Sequence, residues 1–270
     1  MKYGFILPFG DARIAADLAR EAERAGWDGF FMWEPVCGVD AWIGLTAAAM
    51  QTTRIRLGTM LTPISRMRPW DVASKAATLD RLSGGRLILS IGLGAVGTGF
   101  AQFGEVTDRK LRAERVDESL DIVTGLWHGQ PFNYTGKHYQ VQALREAAPP
   151  RPLQQPRIPI WVVGAWPHPK SMARALNYDG LIPQGMHADS ETSYQAFCAM
   201  MQHVQSHPTT TRPFEIVIDY KASKDHPSNK CETIRRWADA GATWWIEGLW
   251  EASELTEVQR YIFQGPPNDG

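Results

Sequence analysis

The chain has 270 residues, 44% hydrophobic and 21% charged, with a formal net charge of −1 at pH 7. That is enough to bury a full α/β core, and near-neutrality without a basic run leaves no electrostatic footprint for nucleic acid or an anionic membrane, so a small-molecule partner is expected. Three widely spaced cysteines, Cys37, Cys198 and Cys231, support neither a disulfide framework nor a paired-thiolate metal site, and fit a reducing cytoplasm.

The amino terminus enters an apolar strand, Tyr3 to Leu7, without the features of a signal peptide, and no run is long enough to span a bilayer. Ile14, Leu18, Ala22 and Ala25 mark a helical face that stops at Gly26, and Gly29 to Trp33 reads as a second strand. Asp40 has the character of an N-cap for a helix bearing Trp42, Leu45, Ala48 and Ala49, before a third strand over Ile55 to Leu61. Pro69 suits the first turn of a helix that runs to Leu82. Gly84 and Gly85 supply the turn that ends it, and Leu87 to Ile91 is too apolar for a strand with one wet face.

After this fourth strand comes a long insertion, Ala95 to Lys110, then a helix over Leu111 to Trp127 and a small hairpin within Pro131 to Tyr139. Ala147 to Pro152 reads as extended linker inside one domain that covers residues 1–270. Later strands are expected at Ile158 to Gly164, Asp179 to Ile182, Phe214 to Tyr220 and Thr243 to Glu247, with helices around Met172, Phe197 and Trp237 and a last one after Glu251. About eight strand–helix repeats in a chain of this length predict a parallel sheet closed into a TIM-type (β/α)8 barrel.

A barrel directs chemistry to the carboxyl ends of its strands: Pro8, Trp33-Glu34, Thr59 to Thr62, Gly92 to Gly94, Gly164 to Trp166, Pro183 to Gly185, Tyr220 and Glu247. One of these stretches, Gly92-Leu93-Gly94-Ala95-Val96-Gly97, matches the dinucleotide fingerprint G-x-G-x-x-G. That fingerprint needs a helix to begin at once, whereas Thr98 to Gly104 reads as loop, so a nicotinamide dehydrogenase is the weaker reading. Arg109, Arg112 and Arg115 follow the insertion with helical spacing that would let them reach a phosphate, but Glu114, Asp117 and Glu118 alternate with them and favour a solvated helix face. The seven histidines lack metal-ligand spacing, so no metal is expected.

At Ala22 to Gly29, Arg54 to Thr59, Ala76 to Arg86 and Pro156 to Val162 the sequence resembles the bacterial luciferase-like family of flavin- or deazaflavin-dependent oxidoreductases, nearly from end to end. The resemblance implies a barrel that binds FMN or coenzyme F420 across the strand ends and acts as an oxidoreductase or monooxygenase on a small organic substrate. It also implies a cis peptide not preceding proline at Thr59-Met60 or its neighbour, glycines Gly92 and Gly94 under the ring, and a phosphate-approaching loop at Gly164-Ala165-Trp166. Trp33, Thr59, Met60, Leu61, Gly92, Leu93, Gly94, Gly164, Ala165, Trp166, Gln184 and Gly185 are accordingly the expected cofactor contacts. A homodimer is implied by the resemblance alone.

Two positions depart from the family pattern. Gly164-Ala165 stands where relatives commonly have two glycines, and Trp33-Glu34-Pro35 stands where many have Trp-Asp-His. Proline offers no proton-transfer group, which leaves Glu34 as the candidate general acid or base of the second-strand loop, with a loop cap as its bland alternative. The missing imidazole also supports a competing reading, a barrel that binds a small molecule without turnover.

Overall fold

The computed structural model describes residues 1–143, 150–207, 213–222 and 230–267. Its strands are β1 (Lys2–Leu7), β2 (Gly29–Met32), β3 (Arg56–Pro63), β4 (Leu87–Gly92), β5 (Tyr134–Thr135), β6 (Gln140–Val141), β7 (Ile160–Gly164), β8 (Gly180–Pro183), β9 (Glu215–Lys221) and β10 (Trp244–Gly248). The α-helices are α1 (Ala12–Ala25), α2 (Ala41–Gln51), α3 (Pro69–Leu82), α4 (Arg109–His128), α5 (Pro169–Leu176), α6 (Glu191–Ser206), α7 (Lys230–Asp239) and α8 (Leu255–Phe263). The strands close in the order β1-β10-β9-β8-β7-β4-β3-β2, all pairs parallel, while β5 and β6 form the separate antiparallel hairpin. This is the expected TIM barrel.

Local chemistry explains the boundaries. Asp11, Asp40, Asp108 and Ser190 each accept a backbone N–H three residues on, satisfying a donor that the first helical turn leaves free. After α3 the chain turns through Gly84 (φ 70°) and Gly85 (φ 81°), conformations that cost little only without a Cβ. The insertion after β4 contains a short 3-10 turn, Val96–Thr98, and no α-helix before α4 at Arg109.

Alternation along each strand sorts side chains into two cores. Ile6, Phe31, Met60, Ile88, Trp161, Ile182, Val217, Trp244 and Ile246 fill the barrel, and a larger set packs between strands and helices. Trp244 goes inward and Trp245 outward, as the pattern predicts. Phe31, Trp161 and Trp244 form an aromatic plug with ring centroids 5.1–6.0 Å apart, so the barrel is solid below its carboxyl-terminal mouth.

The segments that carry the family resemblance are largely scaffold. Glu23 accepts the backbone N–H groups of Thr53, Arg54 and Ile55, and Asp80 those of Leu153 and Gln154. Buried Arg86 donates to the carbonyls of Ala49, Thr52, Ile55 and Ser83 and to the Thr52 hydroxyl, and so caps the carboxyl end of α2.

Glu247 departs from its expected place at the mouth. It is fully buried on the outer face of β10, where Trp245 Nε1 (2.9 Å), Tyr261 Oη (2.7 Å) and Lys230 Nζ (2.7 Å) hold it. Strand alternation decides this, because the plug residues Trp244 and Ile246 take the inward positions. The linker expected at 147–152 falls outside the described residues as far as 149. Among the described residues no helix is long and apolar enough to cross a membrane.

Candidate functional site at the barrel mouth

A cavity of about 970 Å³ opens at the carboxyl ends of the strands. A second one, of about 580 Å³, lies at their amino ends, but most of its charges are engaged internally: Lys2 pairs with Glu215 at 2.6 Å, Asp28 accepts Tyr3 N–H, and Glu23 holds 53–55. The larger cavity is therefore the candidate site, in agreement with the general placement of barrel chemistry.

Nine of the sequence-predicted residues line it: Trp33, Glu34, Met60, Leu61, Gly92, Leu93, Gly94, Gln184 and Gly185. Met60 and Leu61 meet in a cis peptide, one bond beyond Thr59-Met60 and within the expected segment, where the β3–β4 register shifts. Four predicted residues lie elsewhere. Thr59 is buried beneath the wall, and Gly164, Ala165 and Trp166 are absent from the lining. A Cβ at Gly164 would strike Leu181 of the neighbouring strand. Ala165 N–H is taken by Ser171 Oγ at 3.0 Å, and Trp166 packs on His203 with centroids 5.3 Å apart. The part of this connection that reaches the cavity is the start of α5, with Ser171 and Arg174.

The two mouth glycines answer to protein packing as well as to any ligand. A Cβ on Gly92 would come within 3.0 Å of Leu61 and 3.1 Å of Val163. Gly94 has φ 81°, and its Cβ would stand 2.6 Å from Phe100 and 2.8 Å from Pro63. Bare backbone is required at Gly94 before any cofactor arrives.

Glu34 bridges three elements. Its Oε1 accepts from Trp42 Nε1 (3.2 Å) and its Oε2 meets Thr62 Oγ1 (2.9 Å), which is 2.9 Å from Thr59 Oγ1; that hydroxyl reaches the Ser90 carbonyl. Burial raises the Glu34 pKa, against the hydrogen bond from Thr62, the charge of Arg66 and the bond from Trp42. The chain can run in either sense. Ionised Glu34 accepts the Thr62 proton, whereas protonated Glu34 donates to Thr62, which donates to Thr59 and so to Ser90. Pro35 contributes only a carbonyl, which anchors Arg66 at 2.8 Å.

The solvated reading of the α4 arginines fails at Arg112. That side chain is buried, lines the cavity with Arg109, and donates from Nη1 to the carbonyls of Leu93 (3.0 Å) and Gly94 (2.8 Å). Its Nε has no partner among the described residues. The interleaved acids turn the other way: Glu118 accepts N–H groups of Lys137, His138 and Tyr139, and Asp117 pairs with Arg174. Asp219, which the sequence reading did not single out, also lines the cavity; crowding by protein at the mouth raises its pKa to about 6 despite an opposing charge from His187. Its one legible signal was position, two residues beyond inward-facing Val217.

The profile of the luciferase-like monooxygenase family matches residues 2–243. The F420-dependent glucose-6-phosphate dehydrogenase of Kineococcus radiotolerans is 31% identical over 247 residues, covering 84% of this chain and 69% of that protein. Among solved structures, monooxygenase RslO1 from Streptomyces bottropensis superposes with a TM-score of 0.80 at 20% identity, over 97% of this chain and 96% of that one. The coenzyme F420-dependent tetrahydromethanopterin reductase of Methanopyrus kandleri gives 0.79 at 18% identity over the same shares. The profile match begins in β1 and ends at the threshold of β10, taking in every loop that builds the cavity except the Trp250 side, and the chain belongs to the luciferase-like monooxygenase family.

Proposed function

We propose that this chain is an oxidoreductase that binds coenzyme F420 or FMN at the barrel mouth and acts on a small organic substrate, hydride transfer with F420 being the first reading and monooxygenation with FMN the second. The carrying observation is one cavity with two kinds of wall. Leu61, Gly92 and Val163 offer an apolar wall, while Arg112, Arg109 and Ser171 offer cationic and hydroxyl donors, the Arg112 Nε without a partner among the described residues. The orphaned Arg112 Nε fits an anionic tail, and the glycine backbone fits a ring. When bound, the cofactor supplies the hydride or oxygen chemistry that side chains lack.

The protein's own part is to hold, orient and exclude water. Met60 and Leu61 wall the ring side, the arginines hold the tail, and Trp33 and Trp250, with centroids 5.9 Å apart, narrow the mouth. Glu34 is the carboxylate on the β2–β3 side, able to pass a proton along Thr62 and Thr59 or toward the cavity. Names of relatives that specify F420 favour the deazaflavin. The nicotinamide reading loses support because no α-helix follows Gly92 to Gly97 until Arg109. The exposed apolar face of α2, with Ile43 and Met50, is where a second copy would pack, and a cytoplasmic setting suits three cysteines held as thiols.

Fluorescence titration of the purified protein with F420 and with FMN tests the reading. Saturable binding of one of them, weakened by added salt, is the expected result; binding of neither removes the proposal. Binding without turnover against a broad substrate panel would favour the non-catalytic barrel.

A further inference from the structure

The barrel order sets β10 directly across the ring from β4, with β1, β2 and β3 between them on one side and β9, β8 and β7 on the other. Trp250, two residues beyond the end of β10, lines the cavity on the side opposite Gly92 and Leu93. Trp33, just beyond β2, meets it edge to face, with ring centroids 5.9 Å apart and planes at 83°. The two indoles make an aromatic corner on the β2–β1–β10 arc of the mouth.

That corner is built rather than incidental. A Cβ on buried Gly248 would strike Trp250 Nε1, so bare backbone is what lets the ring fold back over the strand end, and Gly248 serves there through space alone because its φ is not positive. The loop is tied on both sides: Ala222 N–H donates to the Gly248 carbonyl at 3.0 Å, Ala252 N–H donates to the Leu249 carbonyl at 3.2 Å, and Leu249 is buried in the outer core. Lys221 on β9 pairs with Glu251 at 2.8 Å. Trp33 is fixed as well, since its Nε1 donates to the Pro8 carbonyl at 2.9 Å and its ring packs on the inner core. With its polar edge satisfied, Trp33 offers only ring surface. Trp250 nevertheless stays 38% exposed, and a large ring held this closely but left uncovered at a cavity mouth marks ligand surface.

We infer that Trp250 and Trp33 form the substrate subsite, and that the substrate presents an aromatic ring to them across the mouth from the cofactor. This rests on the proposed function and names its substrate class. The charged groups nearby do not compete for that ring: Lys221 has Glu251, Asp189 and Asp219 are exposed and stay hydrated, and Glu34 turns to Trp42 and Thr62. The family match ends at residue 243, before this loop, so Trp250 is a feature of this chain outside the matched region and a place for its own specificity. Aromatic pairing beyond simple burial strengthens binding by roughly two- to tenfold for each ring engaged, so the pair should favour an aromatic ligand over its saturated counterpart by about tenfold.

The test is calorimetric titration of the full chain, alone and loaded with F420 or FMN, with two probes of like size: 2-naphthol, which is aromatic, and decahydro-2-naphthol, which is not. Wild type should bind 2-naphthol about tenfold more tightly than the saturated probe. Trp250→Leu should weaken 2-naphthol by roughly fivefold and leave the saturated probe and the cofactor within about twofold, while Trp250→Phe should restore most of the preference. Trp33→Leu should act in the same direction. A merely structural role for Trp250 would lower the unfolding midpoint and leave the ratio of the two probes unchanged, and that result overturns the assignment. Equal affinity of wild type for the two probes, or binding of neither by the cofactor-loaded protein, overturns the aromatic substrate class and leaves the proposed function standing. Binding of 2-naphthol through Trp250 by a protein that takes neither F420 nor FMN overturns the proposed function and upholds the subsite, as that of a barrel without turnover.

Discussion

Replacing Arg112 by methionine separates the two duties that the cavity assigns to it. The methionine keeps the buried apolar stem and removes the guanidinium, which now bonds the Leu93 and Gly94 carbonyls at 3.0 and 2.8 Å and leaves Nε without a partner among the described residues. Bonds to a charged donor are worth about 1.5–3 kcal/mol each, so losing the pair should lower stability by roughly 2–4 kcal/mol once water replaces part of it. An additional contact to the anionic tail of a cofactor, of the same kind, would weaken binding by about 1.5–3 kcal/mol, or roughly 10- to 150-fold. Arg109 beside it lowers the Arg112 pKa further after desolvation, so an incoming anion relieves two crowded cations at once. Denaturant unfolding measures the first effect and fluorescence titration with F420 or FMN the second. Arg112→Lys should fall between, because an ammonium keeps the charge but cannot fork between two carbonyls and a ligand. Affinity within twofold of wild type, alongside the expected loss of stability, would show that Arg112 only holds the glycine loop.

Glu34→Gln should cost about a hundredfold in turnover with cofactor affinity retained, and unchanged turnover would reduce Glu34 to a holder of Trp42 and Thr62. Gly94→Ala should destabilise by about 1–2 kcal/mol from its positive φ, before the approach to Phe100 is counted, as read by thermal unfolding. Arg86→Met should cost about 3–5 kcal/mol in urea unfolding, because four carbonyls lose a buried charged donor, and a loss below about 1 kcal/mol would refute the capping role.

Much of this architecture was legible because it rests on local rules. The caps at Asp40 and Pro69, the turn at Gly84-Gly85 and the inward–outward split of Trp244 and Trp245 follow from φ preference and strand alternation, and the structure holds all of them. The cavity wall was legible in part. Leu61, Gly92, Gly94 and Gly164 to Trp166 all sit at strand ends that the barrel dictates, but the packing of Gly164 to Trp166 against Leu181, Ser171 and His203, which keeps them out of the lining, depends on side-chain contacts that strand position does not encode. Arg112 was misread for a related reason. Its neighbours Glu114 and Glu118 give a solvated pattern, yet those acids spend themselves on the β5–β6 hairpin, whose docking no helix periodicity encodes.

Four carboxylates on the barrel strands and their flanks separate structure from chemistry by their donors. Glu247 has three donors and lies outside the barrel, so its charge is neutralised and inaccessible. Asp179 forms a two-pronged pair with Arg157 and caps Ile160 N–H, which ties β7 to β8. Glu34 has two donors and one face on the cavity, enough freedom to change protonation while its position stays fixed. Asp219 has none among the described residues and faces only the cavity side of β9. A carboxylate can exchange protons with a ligand only where the protein has not already spent its lone pairs, and that requirement separates Glu34, Asp189 and Asp219, which line the cavity, from Glu247 and Asp179, which do not. Residue type and strand-end position put Glu34 and Glu247 on equal terms in the sequence. The donors that divide them, Lys230 and Tyr261 on one side and Trp42 and Thr62 on the other, come from separate helices and strands and exist only once the barrel has closed.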